Sequence, residues 1–514
     1  MKKIISRFFM LLGGSAICLG PAHADDYYFW LQQEPTPTYP SYPSGQAACQ
    51  AKQDRYTGLY ASFAPQYFGA GDYREGQFAG GICNMYWMED GHSLGWIGVN
   101  FVAGSCSNGG AFNNFSAECE SPEKEALRKS IGPPEDKLTC NSPALFQGNP
   151  INIATGNKFQ VETDYAPFSN DPSSSSLRFV RYYNSLDGLW THNYAAHLAL
   201  TSFSINLINF DGRQSLFSRV GNTATAEPTE LGSLVFIDNT WIYNSPDNNI
   251  LIFNTSGQLI SWQHPAGNVQ NLSYSGSNIS VMDNYGHALS FTESANHQPL
   301  TLQINDLSVI YSYNGFGQMT SVTRNRAGVS NIRQYHYEDS SHPTLLTGIT
   351  DERGIRFATW HYDAQGRAIS SEHGGSLEKV NLVYNADGST TVTNALGKSA
   401  VYHYQVIQGV KRIVAIEGEP SPNCSASNSS YTYNDRGQVL TKTDAKGLST
   451  TYSYNDRGLE VSRVEASGTP LARTTTTEWD PSRFLKTKVV EFTRTTLYTY
   501  DAQGRQLSQQ TTPN

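Results

Sequence analysis

Cysteine and histidine are the residue types of this chain that could bind a metal, form disulfides or catalyse a reaction. Their spacing distinguishes between these possibilities. After residue 24 the cysteines are Cys49, Cys83, Cys106, Cys119, Cys140 and Cys424. No C-x-x-C pair occurs among them, so a zinc site is not indicated. Five of the six lie between residues 49 and 140, and an even set favours disulfides in an oxidising compartment. We predict two disulfides there and leave the connectivity open: either Cys424 pairs with one of the five or one thiol stays free.

Histidines and carboxylates are scattered in a way that does not indicate catalysis. No H-E-x-x-H string occurs, and His361 and His403 stand beside regularly spaced tyrosines, where a sheet-face residue is the simpler interpretation. Asp435, Asp456 and Asp501 lie in strings typical of turns and lack the acidic spacing of a calcium loop. We therefore predict a non-enzymatic protein without cofactor or metal.

A short motif recurs along the second half of the chain: Tyr, then Asp or Asn, two variable residues, Gly, and often Arg or Gln. Its copies include Tyr313 with Gly317; Tyr362, Asp363, Gly366 and Arg367; Tyr433, Asn434 and Gly437; Tyr454, Asn455 and Gly458; and Tyr500, Asp501, Gly504 and Arg505. The intervals between neighbouring copies include 21 and 22 residues. A fixed period of this length indicates a repeat architecture.

Each copy of the motif is predicted to be a hairpin corner. Asp or Asn at the first position caps the turn with its side chain, and Gly accepts the left-handed conformation that the bulged turn needs. One unit divides into a turn at 434–437, a strand at 438–443, a turn at 444–447 and a strand at 448–454. No room is left for a helix, and weaker copies near residues 253–258 and 283–286 indicate that the same sheet begins well before residue 300. With 30 Tyr and 44 Gly, the composition also favours an all-β fold.

A second string precedes the repeats and identifies a resemblance. Residues 148–158 read GNPINIATGNK, followed by an alternating strand in which Phe159 and Val161 share a face, and later by Arg181-Tyr182-Tyr183-Asn184-Ser185. With the repeats, this region over residues 145–514 resembles bacterial Rhs/YD-repeat proteins. The resemblance implies hairpins wound into a long curved or spiralling sheet that forms a partial shell. In that family the shell often encloses a C-terminal toxin beyond a core segment, whereas this sequence ends at Pro513-Asn514 just after a repeat. A truncated product, a partial chain and a scaffold acting with another polypeptide remain as alternatives.

The remaining segments are assigned from composition. Residues 1–24 have the layout of a secretory signal peptide, residues 25–45 form a Pro/Tyr-rich linker, and residues 46–144 form a small Cys-rich module with one helix near residues 122–129. Residues 145–300 are the repeat-introducing region with degenerate repeats, and residues 301–514 are the YD-repeat sheet. The net charge of −9 with mixed signs argues against nucleic acid, and no segment has the length of a membrane span.

Taken together, these features predict an exported Rhs/YD-repeat scaffold or shell protein, similar to the encapsulating part of a polymorphic toxin system. Its location is predicted to be periplasmic, on the cell surface or extracellular. The expected partner is a protein cargo or a separate C-terminal polypeptide. The alternative is a cell-surface protein that binds carbohydrate or mediates adhesion, with a glycan as its ligand.

Overall fold

A computed structural model describes residues 28–31, 63–69, 79–87, 93–102, 111–113, 118–120, 122–132, 143–167, 176–201, 204–265, 267–419 and 427–514. The chain divides into two compact units, the first ending at Ser121 and the second at Asn514. Among the described residues, none of the helices is long and apolar enough to cross a membrane.

Six short strands make up the described part of the first unit. They are β1 (Tyr28–Leu31), β2 (Phe63–Gly69), β3 (Ala79–Trp87), β4 (Ser93–Val102), β5 (Ala111–Asn113) and β6 (Glu118–Glu120). Four of them form an antiparallel sheet in the order β1-β4-β3-β2, and β5 pairs with β6. Cys83 lies in β3 and Cys119 in β6. The side chains of all six cysteines are outside the described part of the chain, so the disulfides stay a prediction. Residues 1–24 are outside it as well.

The second unit opens with helix α1 (Pro122–Ser130), at the place where the sequence predicts a helix. Proline suits the first helical position because its missing N–H would have no helical partner there. The helix groups with the second unit, where Arg128 donates to Glu227 at 2.7 Å.

Five short strands follow the helix before the long sheet begins. They are β7 (Phe146–Gln147), β8 (Ile151–Asn152), β9 (Phe159–Tyr165), β10 (Phe179–Asn184) and β11 (Trp190–His192). The last three form an antiparallel sheet in the order β11-β10-β9. We call residues 143–194 the crossing segment, because its described residues lie across one face of the long sheet.

The long sheet contains thirty strands, each paired with its neighbours in sequence. Its first fifteen strands are β12 (His197–Leu200), β13 (Ser204–Ile208), β14 (Gln214–Val220), β15 (Thr223–Ala226), β16 (Ser233–Ile237), β17 (Thr240–Asn244), β18 (Ile250–Phe253), β19 (Leu259–Gln263), β20 (Val269–Ser275), β21 (Asn278–Asp283), β22 (Ala288–Glu293), β23 (Pro299–Ile304), β24 (Leu307–Tyr313), β25 (Met319–Arg326) and β26 (Val329–His336). The other fifteen are β27 (Gly348–Thr350), β28 (Arg356–Tyr362), β29 (Ala368–His373), β30 (Leu377–Tyr384), β31 (Thr390–Thr393), β32 (Ser399–Ile407), β33 (Val410–Glu419), β34 (Ser427–Tyr433), β35 (Val439–Thr443), β36 (Ser449–Tyr454), β37 (Glu460–Glu465), β38 (Arg473–Trp479), β39 (Lys486–Val490), β40 (Arg494–Tyr500) and β41 (Gln506–Pro513).

The sheet is open, with β12 and β41 as its edges, and it curves back on itself. The turn after β17 lies against the turn after β38, where Asn248 Nδ2 donates to the Phe484 carbonyl at 3.1 Å and Asn248 Oδ1 accepts from the Phe484 N–H at 2.9 Å. Arg436 reaches the carbonyl of Pro228 in the same way. The predicted all-β fold and long curved sheet of antiparallel hairpins are confirmed, and the sheet begins near residue 197, well before residue 300.

One face of the long sheet carries the hydrophobic core. Alternate residues along the strands point to this face, which we call the inner face, and Trp241 and Trp360 on it are fully buried. The crossing segment adds its own buried aromatic residues, including Trp190 and Tyr183. Burial declines toward the last strands, and β41 is exposed along nearly its whole length.

Gly447 offers a clean test of the turn geometry because it has φ of +76° and no neighbour within 4 Å of where a Cβ would stand. We expect Gly447→Ala to weaken the β35–β36 hairpin by about 1–2 kcal/mol, since a left-handed conformation strains an L side chain. Gly447→Asn should cost less, because asparagine tolerates this region. The measurement is hydrogen exchange of amides 439–454. Equal protection in both variants and the wild type would contradict the left-handed conformation assigned to Gly447.

Candidate functional site

The repeated motif forms turns closed by its own side chains. In the turn at 434–437, Asn434 Oδ1 accepts hydrogen bonds from the N–H groups of Arg436 and Gln438, both at 3.0 Å. Asp363 and Asp501 accept equivalent bonds in their turns, as does Asn455. The motif glycines take left-handed φ values of 79° (Gly317), 75° (Gly366), 78° (Gly437), 78° (Gly458) and 85° (Gly504). These carboxylate and amide groups are therefore engaged in holding the backbone.

The motif tyrosine binds the preceding hairpin through its hydroxyl group. Each of these hydroxyls donates to a backbone carbonyl at or near the start of an earlier strand: Tyr313 to Pro299 at 2.5 Å, Tyr362 to Leu346 at 2.6 Å, Tyr433 to Ile413 at 2.6 Å, Tyr454 to Val439 at 2.7 Å and Tyr500 to Lys486 at 2.8 Å. A register shift in the strand pairing falls directly before the tyrosine in these copies. The sequence predicts cross-strand packing of the rings, but it does not reveal this hydroxyl bond.

Arginine and glutamine side chains in the turns connect one turn with the next. Arg457 Nη1 donates to the Asp480 carbonyl at 2.7 Å, and Gln438 Nε2 donates to the Gly458 carbonyl at 2.6 Å. Arg367 and Arg505 instead bind the aspartate of their own turn, at 2.7 and 2.6 Å. We call this series of turns and tyrosines the turn ladder. It brings together motif residues from neighbouring repeats along the edge where the turns lie.

The crossing segment makes hydrogen bonds with strands far along the sheet. Trp360 Nε1 donates to the Asn149 carbonyl at 2.7 Å, and Thr390 Oγ1 donates to the Ile153 carbonyl at 2.8 Å. At its other end, Tyr194 OH donates to Gln270 Oε1 at 3.0 Å. The segment therefore spans the inner face from β31 back to β20.

Strand β9 of the crossing segment buries its polar face, and of Phe159 and Val161 only Phe159 is buried. Gln160, Glu162 and Asp164 are buried, while Val161 is 46% exposed. The alternation of Phe159 and Val161 in the sequence instead predicts an ordinary amphipathic strand, with both of these residues on the buried face. The orientation reverses because cationic and phenolic side chains of the long sheet face β9 and bind its carboxylates.

Asp164 and Arg181 form a completely buried ion pair at the centre of this contact. Arg181 Nε lies 2.5 Å from Asp164 Oδ2, and its guanidinium lies 4.8 Å from the ring centre of Trp190. Tyr311 donates to Asp164 at 2.8 Å, and Arg181 donates to Tyr335 at 2.9 Å. Burial alone would raise the pKa of Asp164, but the neighbouring Arg181 and its hydrogen bonds hold that pKa below its usual value.

A chain of ion pairs extends from this centre to the surface. Glu162 binds Arg333 at 3.1 Å, and Arg333 binds Glu352 at 3.1 Å. Arg324 joins Glu352 at 3.0 Å and also binds Asp164. The chain links the two buried carboxylates of β9 to strands β25 and β26. The sequence offers no periodic signal for these residues, since only the fold brings them together.

Lys158 is a second buried charged residue of the crossing segment. Its amine donates to Gln160 Oε1 at 2.8 Å and lies 4.3 Å from the ring centre of Trp360. Burial lowers the pKa of this amine well below its ordinary value. The nearby Glu162 carboxylate opposes this shift, and the amine also donates to the Phe159 carbonyl.

The chain also contains a G-x-S-x-G string, the spacing of a serine nucleophile, at residues 91–95 (GHSLG). In α/β-hydrolases such a serine stands on a turn from a strand into a helix. Here Ser93 is the first residue of β4, which pairs antiparallel with β3. The local backbone therefore differs from that of a nucleophile elbow.

Two family models match the chain at the two features described above. The model called Domain of unknown function (DUF6531) matches residues 148–217, which include most of the crossing segment, and the model called RHS Repeat matches residues 433–470, in the turn ladder. The chain therefore carries an RHS repeat at residues 433–470. The resemblance inferred from the sequence is thus confirmed.

Solved structures also match this chain, at low sequence identity. One is the crystal structure of TcdB2-TccC3 without the hypervariable C-terminal region, at 12% identity and a TM-score of 0.37, covering 87% of this chain and 27% of that chain. Another is the Photorhabdus luminescens Tc holotoxin pore, at 12% identity and a TM-score of 0.27, covering 84% of this chain and 25% of that chain. The protein spans about a quarter of the length of those chains. None of the curated proteins matches it.

Removal of one tyrosine hydroxyl tests the turn ladder. We expect Tyr454→Phe to destabilise the β35–β37 region by about 1 kcal/mol, because the Val439 carbonyl loses its donor. Hydrogen exchange of amides 439–465 measures the change. Tyr498→Phe is the matched control, since that hydroxyl has no hydrogen-bond partner among the described residues. Equal effects of the two variants would contradict a role for the hydroxyl.

Removal of one partner of the buried ion pair tests the centre of the crossing segment. We expect Asp164→Ala to destabilise β9 and β10 by about 3–5 kcal/mol, because it leaves the Arg181 charge buried without its carboxylate. The double variant Asp164→Leu/Arg181→Met should recover much of that loss. Arg353→Ala, which removes an exposed ion pair with Asp351, is the control and should change little. Hydrogen exchange of the β9 and β10 amides measures the effect of each variant. Unchanged exchange rates in Asp164→Ala would contradict the role assigned to the buried ion pair.

Proposed function

We propose that this Rhs/YD-repeat protein is a non-catalytic, exported scaffold whose curved sheet forms the wall of a partial shell for a protein partner. The observation that carries the proposal is the single thirty-strand sheet that turns back until its late turns contact its early turns. The contacts between the early and the late turns hold the curvature of this wall. Its motif carboxylates bind backbone N–H groups, which supports a structural role for the repeats.

The inner face offers two different environments to a partner. From β12 to β36 it carries aromatic and aliphatic residues, and the crossing segment covers much of it. On the last strands the same face carries polar residues such as Arg463, Thr475, Thr496 and Thr511, which line a concavity of about 300 Å³. We propose that this polar wall faces the partner polypeptide, because the crossing segment spans β20 to β31 and its hydrogen bonds do not reach these last strands.

The test is light scattering with mass spectrometry on the mature chain purified from its native host. We expect a second polypeptide in a fixed ratio, and we expect Arg463→Glu/Thr475→Glu to release it without altering the circular dichroism spectrum. Glu substitutions at Thr432 and Thr441, whose exposed hydroxyls bond to each other on a neighbouring hairpin, are the control and should retain the partner. A lone monomer under all conditions would contradict the shell proposal.

A second candidate function, glycan binding, is favoured by one cavity. Tyr182, Phe210 and Trp262 line a space of about 200 Å³ together with Asp247 and Asn249. Aromatic faces beside carboxylate and amide groups suit the stacking and hydrogen bonding of a sugar ring. Asp247→Ala should then abolish binding to any glycan that an array detects for the wild type, while Asp306→Ala, a surface control, should keep it. A glycan array on which the wild-type protein binds no glycan would contradict this second candidate function.

A further inference from the structure

Three histidines and one glutamate meet where the crossing segment joins the long sheet. We call His192, His197, His297 and Glu293 the histidine cluster. His192 ends β11 of the crossing segment and His197 begins β12, whereas Glu293 ends β22 and His297 lies in the turn after it. The cluster therefore connects the crossing segment, the first strand of the long sheet and a strand ten positions further along that sheet.

His192 is held in one neutral form by its two neighbours. Its Nε2 lies 2.9 Å from Glu293 Oε2, and its Nδ1 accepts the backbone N–H of Tyr194 at 3.2 Å. A proton added to Nδ1 would point at the Tyr194 N–H and break that bond. Because the imidazole is fully buried, water cannot replace the lost acceptor.

His197 and His297 place two titratable rings face to face. Their ring centres are 4.2 Å apart, with an angle of 30° between the planes. His197 Nδ1 binds the Ala195 carbonyl at 2.8 Å, and His297 Nδ1 binds Glu293 Oε1 at 2.9 Å. Neutral rings stack well at this distance, but two imidazolium ions would repel each other.

Glu293 is the one carboxylate that the three imidazoles share. Burial would raise its pKa, but hydrogen bonds from His192 and His297 hold that pKa at about 2, so the group stays ionised in mild acid. Among the described residues, the other titratable groups around it are the phenols of Tyr194 and Tyr274, and the pKa of each is raised by burial. One negative charge therefore faces up to three positive charges once the histidines take up protons.

We propose that the histidine cluster is an acid-sensitive connection, which releases the end of the crossing segment from the long sheet when its imidazoles are protonated. The direction of the pH dependence follows from the burial of the imidazoles. Burial lowers the pKa of His192 and of His197 below their value in an unfolded chain, so the opened form binds more protons than the closed form. The closed form is therefore fully favoured above about pH 6.5 and loses stability as the pH falls below that value.

The test is hydrogen exchange with mass spectrometry on the full chain after equilibration at pH 7.5, 6.5, 5.5 and 4.5, corrected for intrinsic exchange rates. We expect peptides covering residues 190–200 and 288–300 to open about tenfold more often at pH 5 than at pH 7.5. Peptides covering residues 439–454, remote from the cluster in sequence, should not respond. Uniform loss of protection over the whole chain would overturn the proposal, because it would indicate global acid unfolding.

Variants separate the cluster from other histidines. His197→Phe/His297→Gln keeps an aromatic ring and a donor for Glu293 but removes two protonation sites, and we expect it to lose most of the acid response. His361→Gln, which removes an imidazole bonded to Ser370 within the sheet, is the matched control and should respond as the wild type does. If the double variant does not fold, His197→Phe alone takes its place. A variant that opens in acid like the wild type would overturn the proposal.

Discussion

The buried ion pair between Asp164 and Arg181 is the contact on which the inner face depends. Two charges removed from water require each other and further hydrogen bonds, which Tyr311 and Tyr335 provide. Because side chains alternate along a strand, a shift of one residue in β9 would turn Asp164 toward the opposite face. The pair, through its bonds to Tyr311, Arg324 and Tyr335, therefore determines the register of the crossing segment against β24, β25 and β26.

The repeats and the crossing segment contribute different kinds of order. The turn ladder is local: each tyrosine, asparagine or arginine contacts its own turn or a nearby one, so the ladder supports a sheet of any length. The crossing segment instead connects strands separated by many hairpins, as the bond from Thr390 to the Ile153 carbonyl shows. Local contacts thus build the strands, and long-range contacts determine where the sheet curves. The bonds between Asn248 and Phe484 are a consequence of that curvature.

The fold could be predicted from the sequence to the extent that local chemistry determines it. The turn glycines, the capping Asn434 and the strand lengths of the unit from 434 to 454 follow from propensities that act over a few residues. The structure places this unit within a continuous sheet, as expected. The helix at Pro122–Ser130 was also predictable from its proline and its composition.

The candidate site could not be predicted in the same way. Asp164, Arg181 and Arg333 come from distant parts of the chain, and their meeting depends on the path of the crossing segment. The pattern of β9 was misleading because an apolar residue, Val161, lies on the exposed face while Glu162 is buried. The tyrosine hydroxyl bonds were missed since a period-two pattern reports which face a ring occupies but not what its hydroxyl reaches.

Native-state hydrogen exchange of the whole chain tests most directly whether the sheet is built around the crossing segment. If it is, the amides of β9 and β10 will exchange as slowly as those of β24, β25 and β26, and both sets will respond together to rising denaturant. If β9 and β10 exchange much faster than the sheet, the crossing segment is peripheral, and the central role assigned to the Asp164–Arg181 pair is wrong.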